Sequence, residues 1–168
     1  MITPEEIIKL FDLKPLVREG GYFSETYRSA EKIPVHCLPQ RYAGERAHST
    51  AIYYLLTADS LSLMHRIRTD EIFHFYLGDC VEMLQLFRDG CGRIVRLGTD
   101  IAGGESPQVV VPADVWQGAR IACGGSFALL GTTVAPAFDA DDYEQGGREK
   151  LVRDYPEFKN IIEELTKK

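Results

Sequence analysis

His65, Glu71 and His74 fall close together in LSLMHRIRTDEIFHFYLG (Leu61–Gly78), and Gln117 stands in VPADVWQG (Val111–Gly118). An imidazole beside a carboxylate can move a proton; with a third donor it can hold a metal. Strand periodicity decides which of these groups can meet. A period of two puts Leu61, Leu63, His65 and Ile67 on one face, directed to the apolar interior. After the turn at Thr69-Asp70, Glu71, Phe73, Phe75 and Leu77 share one face, and Ile72, His74 and Tyr76 take the other. Reading His65, Glu71 and His74 as three metal ligands therefore violates the alternation. His65, Glu71 and Gln117 are expected to point into one cavity, with His74 on the opposite face. Two roles stay open for His65: a core histidine bonded to a neighbour, or a base paired with Glu71.

Other side chains carry similar alternatives. Glu19, ahead of Gly20-Gly21, could reach a ligand at the barrel mouth or sit exposed on its turn. Tyr22, Tyr53 and Tyr76 could donate hydrogen bonds to a ligand or pack with satisfied hydroxyls. Arg28, Arg66 and Arg68 could clamp an anion or cover a solvated strand face. Phe73, on the face of Glu71, joins Glu19, Tyr22, Arg28, Tyr53 and Gln117 in the expected ligand-binding set. Trp116 faces away from Gln117 on alternation, and a sheet-packing or interface role competes with that of a pocket wall. Phosphate loops, dinucleotide glycine motifs and a GxSxG elbow do not occur in the sequence.

The elements that must position these groups are mostly short strands. Thr3-Pro4-Glu5-Glu6 has the N-cap Thr, first-turn Pro and capping-box Glu of a helix over 4–12. Strands are expected over Ala51–Thr57, Ser60–Arg66, Glu71–Leu77, Val81–Phe87, Ile94–Leu97, Gln108–Val111, Gly118–Cys123 and Phe127–Val134. Turn chemistry separates them, as in Asp89-Gly90-Cys91-Gly92 and Gly124-Gly125, and the pattern predicts an all-β sandwich or barrel. Pro136 to Arg148 reads as a surface loop, and Pro156 opens a last helix with Phe158, Ile161, Ile162 and Leu165 on one side. The 168 residues suit one domain: helix and turn over 1–20, barrel over 21–135, loop and helix over 136–168. Net charge −6 argues against nucleic-acid or anionic-membrane partners. Neither an export signal nor a membrane-spanning run is present, so a cytoplasmic location is expected. Cys37, Cys80, Cys91 and Cys123 are scattered and read as reduced structural thiols.

The spacing resembles the cupin superfamily, whose first signature runs G(x)5HxH(x)3-4E(x)6G and whose second runs G(x)5PxG(x)2H. His65, Glu71, Gly78 and Pro112 match, whereas Ile67, Asp114 and Gln117 replace a histidine, a glycine and a histidine. Longer blocks resemble the cupin type five family, a domain of unknown function: EGGYFSETYRS, STAIYYLLT, MHRIRTDEIFHFYLGD, LGTD, VVVPADVWQGA and TVAPAFDADDYE. Val17-Arg18 stands where that family has His-Pro, and Ala137 where it has Gly. The resemblance implies a double-stranded β-helix barrel with short terminal helices, a pocket inside and commonly a homodimer. The function expected is binding of a carbohydrate- or nucleotide-like small molecule, with proton transfer of the epimerase, isomerase or dehydratase type. His65 would be the base and Glu71 its orienting partner, with no cofactor required. The alternatives are a metal-dependent oxygenase or isomerase using His65, Glu71 and Gln117 on a divalent ion, and a non-catalytic sensor or storage protein.

Overall fold

The structure, a computed structural model, describes residues 2–167. Helix α1 (Pro4–Leu10) starts as its capping box dictates: the Thr3 hydroxyl accepts from the Glu6 N–H, and the Glu6 carboxylate accepts from the Thr3 N–H. It ends two residues earlier than its apolar pattern predicts, and Asp12 takes a left-handed φ of 49°. Strands β1 (Lys14–Pro15), β2 (Tyr22–Arg28), β5 (Thr50–Thr57), β12 (Phe127–Val134), β7 (Glu71–Gly78) and β10 (Gln108–Val111) form one sheet, neighbours in that order. A second sheet runs β13 (Glu144–Gln145), β6 (Ser62–Arg66), β11 (Trp116–Ile121), β8 (Val81–Leu86), β9 (Gly92–Leu97). The short strands β3 (Lys32–Ile33) and β4 (Arg46–Ala47) pair with each other. The chain is mainly β, a jelly roll of two antiparallel sheets with short terminal helices.

The two sheets close on a shared apolar layer. Tyr54, Phe73 and Leu130 of the first sheet meet Val81, Met83 and Ala119 of the second. Each large side chain so buried contributes about 1.5–3 kcal/mol. Alternation sends the next residues outward. Trp116, Met64, Leu84 and Leu86 leave the barrel on its far side and are covered by helices α2 (Arg148–Asp154) and α3 (Lys159–Glu164) through Leu151, Ile161, Ile162 and Leu165. Trp116 is thus a sheet-packing residue, with the Arg66 guanidinium over its ring. Helix α2 was not expected as a separate element: its N-cap is Gly147, with no side-chain cap to announce it. On the other sheet α1 covers Leu55 and Leu129, while Tyr76 and Val110 stay exposed. Three of the four cysteines are also exposed rather than structural, and all four are free. No helix among the described residues is long and apolar enough to cross a membrane.

The segment 136–147 departs most from its expected role as a surface loop. It crosses the barrel mouth as a strap, with a short 3-10 turn at Ala140–Asp142 and β13 added to the edge of β6. Ala137 N–H donates to the Ala47 carbonyl, Phe138 N–H to the Thr50 hydroxyl, and Gly146 N–H to the Met64 carbonyl. Its anchor is a buried ion pair. Arg46 Nη2 lies 2.9 Å from Asp142 Oδ1, with 7% and 1% of the two side chains exposed. Two further Arg46 donor contacts go to the Gly44 and Glu45 carbonyls. Removing one partner strands the other charge in the interior, so Asp142→Ala should cost about 3–5 kcal/mol in denaturant unfolding. An apolar replacement of both residues should recover much of that loss; equal instability in single and double variants would show that the pair does not hold the strap.

Candidate functional site

The turn before β2 does most to build the site. Glu19-Gly20-Gly21 brings the chain back onto β6 so tightly that a Cβ at Gly20 would collide with the Leu61 carbonyl oxygen, and Gly20 has a φ of 104°. Three hydrogen bonds fix the turn: the Glu19 carbonyl accepts from Leu63 N–H at 2.7 Å, the Gly20 carbonyl from the Tyr54 hydroxyl at 3.0 Å, and Glu19 Oε1 from the Ser62 hydroxyl at 3.0 Å. Glu19 Oε2 is left 3.6 Å from His65 Nε2. That separation is too long for a hydrogen bond.

His65 is 2% exposed. Its Nδ1 lies 2.7 Å from the Leu63 carbonyl, which fixes that nitrogen as the N–H donor and leaves Nε2 to face Glu19 with a lone pair or a second proton. Because β13 pairs with β6 in the register Gln145↔His65, Tyr143 is delivered onto the imidazole: the rings stack at 5.2 Å with 18° between their planes. Burial, then the Glu19 charge, push the Tyr143 hydroxyl well above its ordinary range.

Glu71 opens β7 between Val111 of β10 and Val134 of β12. Its Oε2 accepts from Gln117 Nε2 at 2.7 Å, and Gln117 stands in register with His65 on the neighbouring strand. Gln117 Oε1 is buried without a donor. Asp114, at the position of the cupin glycine, keeps the left-handed backbone with a φ of 65°, which aspartate tolerates better than most residues. Burial raises the Glu71 carboxyl, and the Glu19 charge raises it further; His65, Gln117 and Thr132 pull the other way. Tyr54 is raised by burial and by Glu19 in the same manner.

Glu19 and Glu71 both face a cavity of about 380 Å³. Its wall is largely apolar, with Leu16, Phe23, Ile52 and Val134 on the barrel side and Phe138 and Tyr143 on the strap. Several expected ligand contacts lie elsewhere. Tyr22 and Tyr53 sit on the outer face of their sheet, packed against the cluster around Ile7 and Leu13, because the strand register puts Phe23, Ile52 and Tyr54 inward. Phe73 is sealed in the barrel core. Arg28 is exposed, pairs with Glu25 and donates to the Phe138 carbonyl at the rim. His74 lies on the outer face, stacked with Tyr76 and bonded to Thr133. Phe138 and Tyr143 were missed; their only signal was two aromatic residues set in an otherwise acidic, turn-like segment.

Comparison with known proteins places these observations. The family described as "Cupin superfamily (DUF985)" matches residues 5–146. An uncharacterized protein of Saccharomyces cerevisiae is 33% identical over 135 residues, covering 75% of this chain and 67% of that protein. Two solved structures align over nearly the whole chain. A hypothetical protein from Leishmania major gives a TM-score of 0.89 at 29% identity, covering 99% of this chain and 100% of that one. A protein of Shewanella oneidensis gives 0.87 at 31% identity, covering 99% of each. Bacillus subtilis oxalate decarboxylase shares the fold alone, with a TM-score of 0.53 at 14% identity over 92% of this chain and 37% of that one.

That decarboxylase carries Mn(II) centres. Among the described residues no three His, Cys, Asp or Glu side chains converge as a metal site.

The raised Glu71 carboxyl has a measurable consequence. Folded protein holds a proton there that the unfolded chain has released, so stability falls as pH rises from the ordinary carboxylate range through the raised value. Glu71→Gln keeps an acceptor for Gln117 and removes the titration. Thermal melts should show the variant more stable than wild type at about pH 8, with the gap closing toward about pH 4. A gap independent of pH would show that folding does not raise the Glu71 carboxyl.

Proposed function

The chain belongs to the cupin superfamily, in its DUF985 family, and from that footing we propose that it takes a small molecule into the barrel cavity and transfers a proton on it, as an isomerase or epimerase does. The observation that carries this reading is the Glu19–His65 pair. Glu19 stands at the cavity wall with its Oε2 3.6 Å from His65 Nε2. Neither group is satisfied by the other, so each keeps capacity for a proton.

In this mechanism Glu19 is the base that touches substrate, and His65 stands behind it. A C–H proton of the substrate passes to Glu19 Oε2. Nε2 of His65 shares or takes that proton while Nδ1–H remains anchored on the Leu63 carbonyl. The same pair returns the proton to a neighbouring atom or the opposite face, and the substrate leaves isomerised with nothing gained or lost. A positioned base of this kind contributes about 10²–10⁴-fold. Glu71, oriented by its bond from Gln117, then holds the substrate's polar end, and Tyr143 keeps the imidazole plane from turning. The roles expected from spacing are thereby redistributed: Glu19, not Glu71, is the carboxylate partner of His65.

The outer face of the first sheet supports a second proposal, that the protein is a homodimer. Tyr76 is 49% exposed and Val110 46%, on a sheet face that α1 covers only in part. Light scattering should give the mass of two chains; a monomeric mass at micromolar concentration removes the proposal.

For the proton-transfer reading, ¹⁵N spectra of the His65 ring give a test that needs no substrate. They should show the Nδ1–H tautomer, bonded to the Leu63 carbonyl, and Glu19→Gln should move the Nε2 resonance, because that nitrogen faces the carboxylate. A ring that carries its proton on Nε2 alone, or is indifferent to Glu19→Gln, would make His65 a satisfied core residue and end the proposal.

A further inference from the structure

We propose that the molecule taken into this cavity is a small organic cation, a protonated amine or amidine on an apolar body, whose N–H groups meet Glu71 and Glu19. This rests on the reading that the cavity binds a small molecule and adds the chemical class.

The first observation is an imbalance of charge. Among the described residues neither Glu19 nor Glu71 has a lysine or arginine partner; the one ion-pair contact of either is His65, at 3.6 Å. Glu25, the other carboxylate on the lining, and Asp142, which anchors the strap, are each paired with an arginine. Arg18 is the remaining cation on the lining, and it is exposed at the mouth.

The second observation is independent of charge. Gln117 is 1% exposed, reaches Glu71 with its N–H, and holds Oε1 in the interior with no donor. Exchanging the amide's two ends would not help, because the orphan would then be the N–H. The carboxylates on the lining, Glu19 and Glu71, are acceptors in surplus, and Gln117 Oε1, off the lining but on the amide bonded to Glu71, adds one more unpartnered acceptor. Their complement is a cluster of donors. An anion supplies none and meets two carboxylates; an alcohol supplies one; an ammonium or amidinium supplies several along with the missing positive charge.

The walls suit the rest of such a molecule. Phe23, Phe138 and Tyr143 offer aromatic faces, and Leu16, Ile52 and Val134 an apolar lining. After burial itself, the Glu19 charge is the main influence raising Glu71; a bound cation relieves that repulsion, so the carboxylates favour it together.

Three probes of matched shape test the class: benzylamine, benzyl alcohol and benzoate, each titrated into the whole protein near neutral pH while amide resonances of Ile52, Thr132 and Val134 are followed. Benzylamine, cationic at that pH, should move them saturably, and benzoate should not. Glu71→Gln should weaken benzylamine at least about tenfold; Glu19→Gln serves the same purpose should Glu71→Gln fail to fold. The class is overturned by benzoate or benzyl alcohol binding as tightly as benzylamine, by benzylamine binding that ignores both variants, or by no probe moving the cavity resonances at millimolar concentration. Benzoate binding would leave the Glu19–His65 reading standing, whereas a His65 ring indifferent to Glu19→Gln would remove that pair and leave the cation result in place.

Discussion

Carboxylates held in an apolar interior without a counter-charge are the constraint around which this barrel is organised. An ionised carboxylate taken out of water costs several kcal/mol unless donors or a charge replace its hydration. The chain meets that cost in two different ways. Asp142 is neutralised outright by Arg46, and the pair serves to fasten the strap. Glu19 and Glu71 receive only neutral donors, from Ser62, Gln117 and Thr132, and a distant imidazole. A fully compensated acid needs nothing further from outside. Partly compensated acids lining a cavity are the basis of the binding proposed for it.

The architecture divides its labour along the alternation of the strands. Inward residues make the core and much of the site together: Glu71 stands on β7 beside that core, and Glu19 on the glycine turn packed against β6. Outward residues of the second sheet are covered by α2 and α3, which bury Met64 and Trp116 and thereby hold β6 and β11 from behind. His65 and Gln117 are their immediate neighbours in the chain. The helices never touch the cavity, yet they back the two strands whose His65 and Gln117 contact its acids, Glu19 and Glu71.

Much of this was legible in the residues. The period of two located most strands within a residue or two, Thr3 and Glu6 announced α1, and alternation alone separated His65 and Glu71 from His74. What was not legible depended on contacts far apart in sequence. Proximity in the chain suggested Glu71 as the partner of His65, but the sharp turn at Gly20 and the Ser62 hydroxyl bring Glu19 there instead, 46 positions away. Arg46 and Asp142 are separated by 96 residues, so the strap looked like a free acidic loop. Tyr22 and Tyr53 show a related limit: alternation gives two faces, and only the neighbouring strands and α1 decide which of them is inside.

The strap also separates two kinds of inheritance in this molecule. The acids and the imidazole ride on strands and on a glycine turn with no room for a side chain, so changing them means rebuilding the barrel. Phe138 and Tyr143 ride on a crossing segment that has little regular structure and is held by a few anchors, chiefly Arg46–Asp142, the edge pairing of β13 and the bond to Thr50. Substitutions or insertions between those anchors reshape one wall of the cavity while its floor stays unchanged. A lineage carrying this fold can therefore alter the shape of its cavity while leaving the placement of its acids untouched.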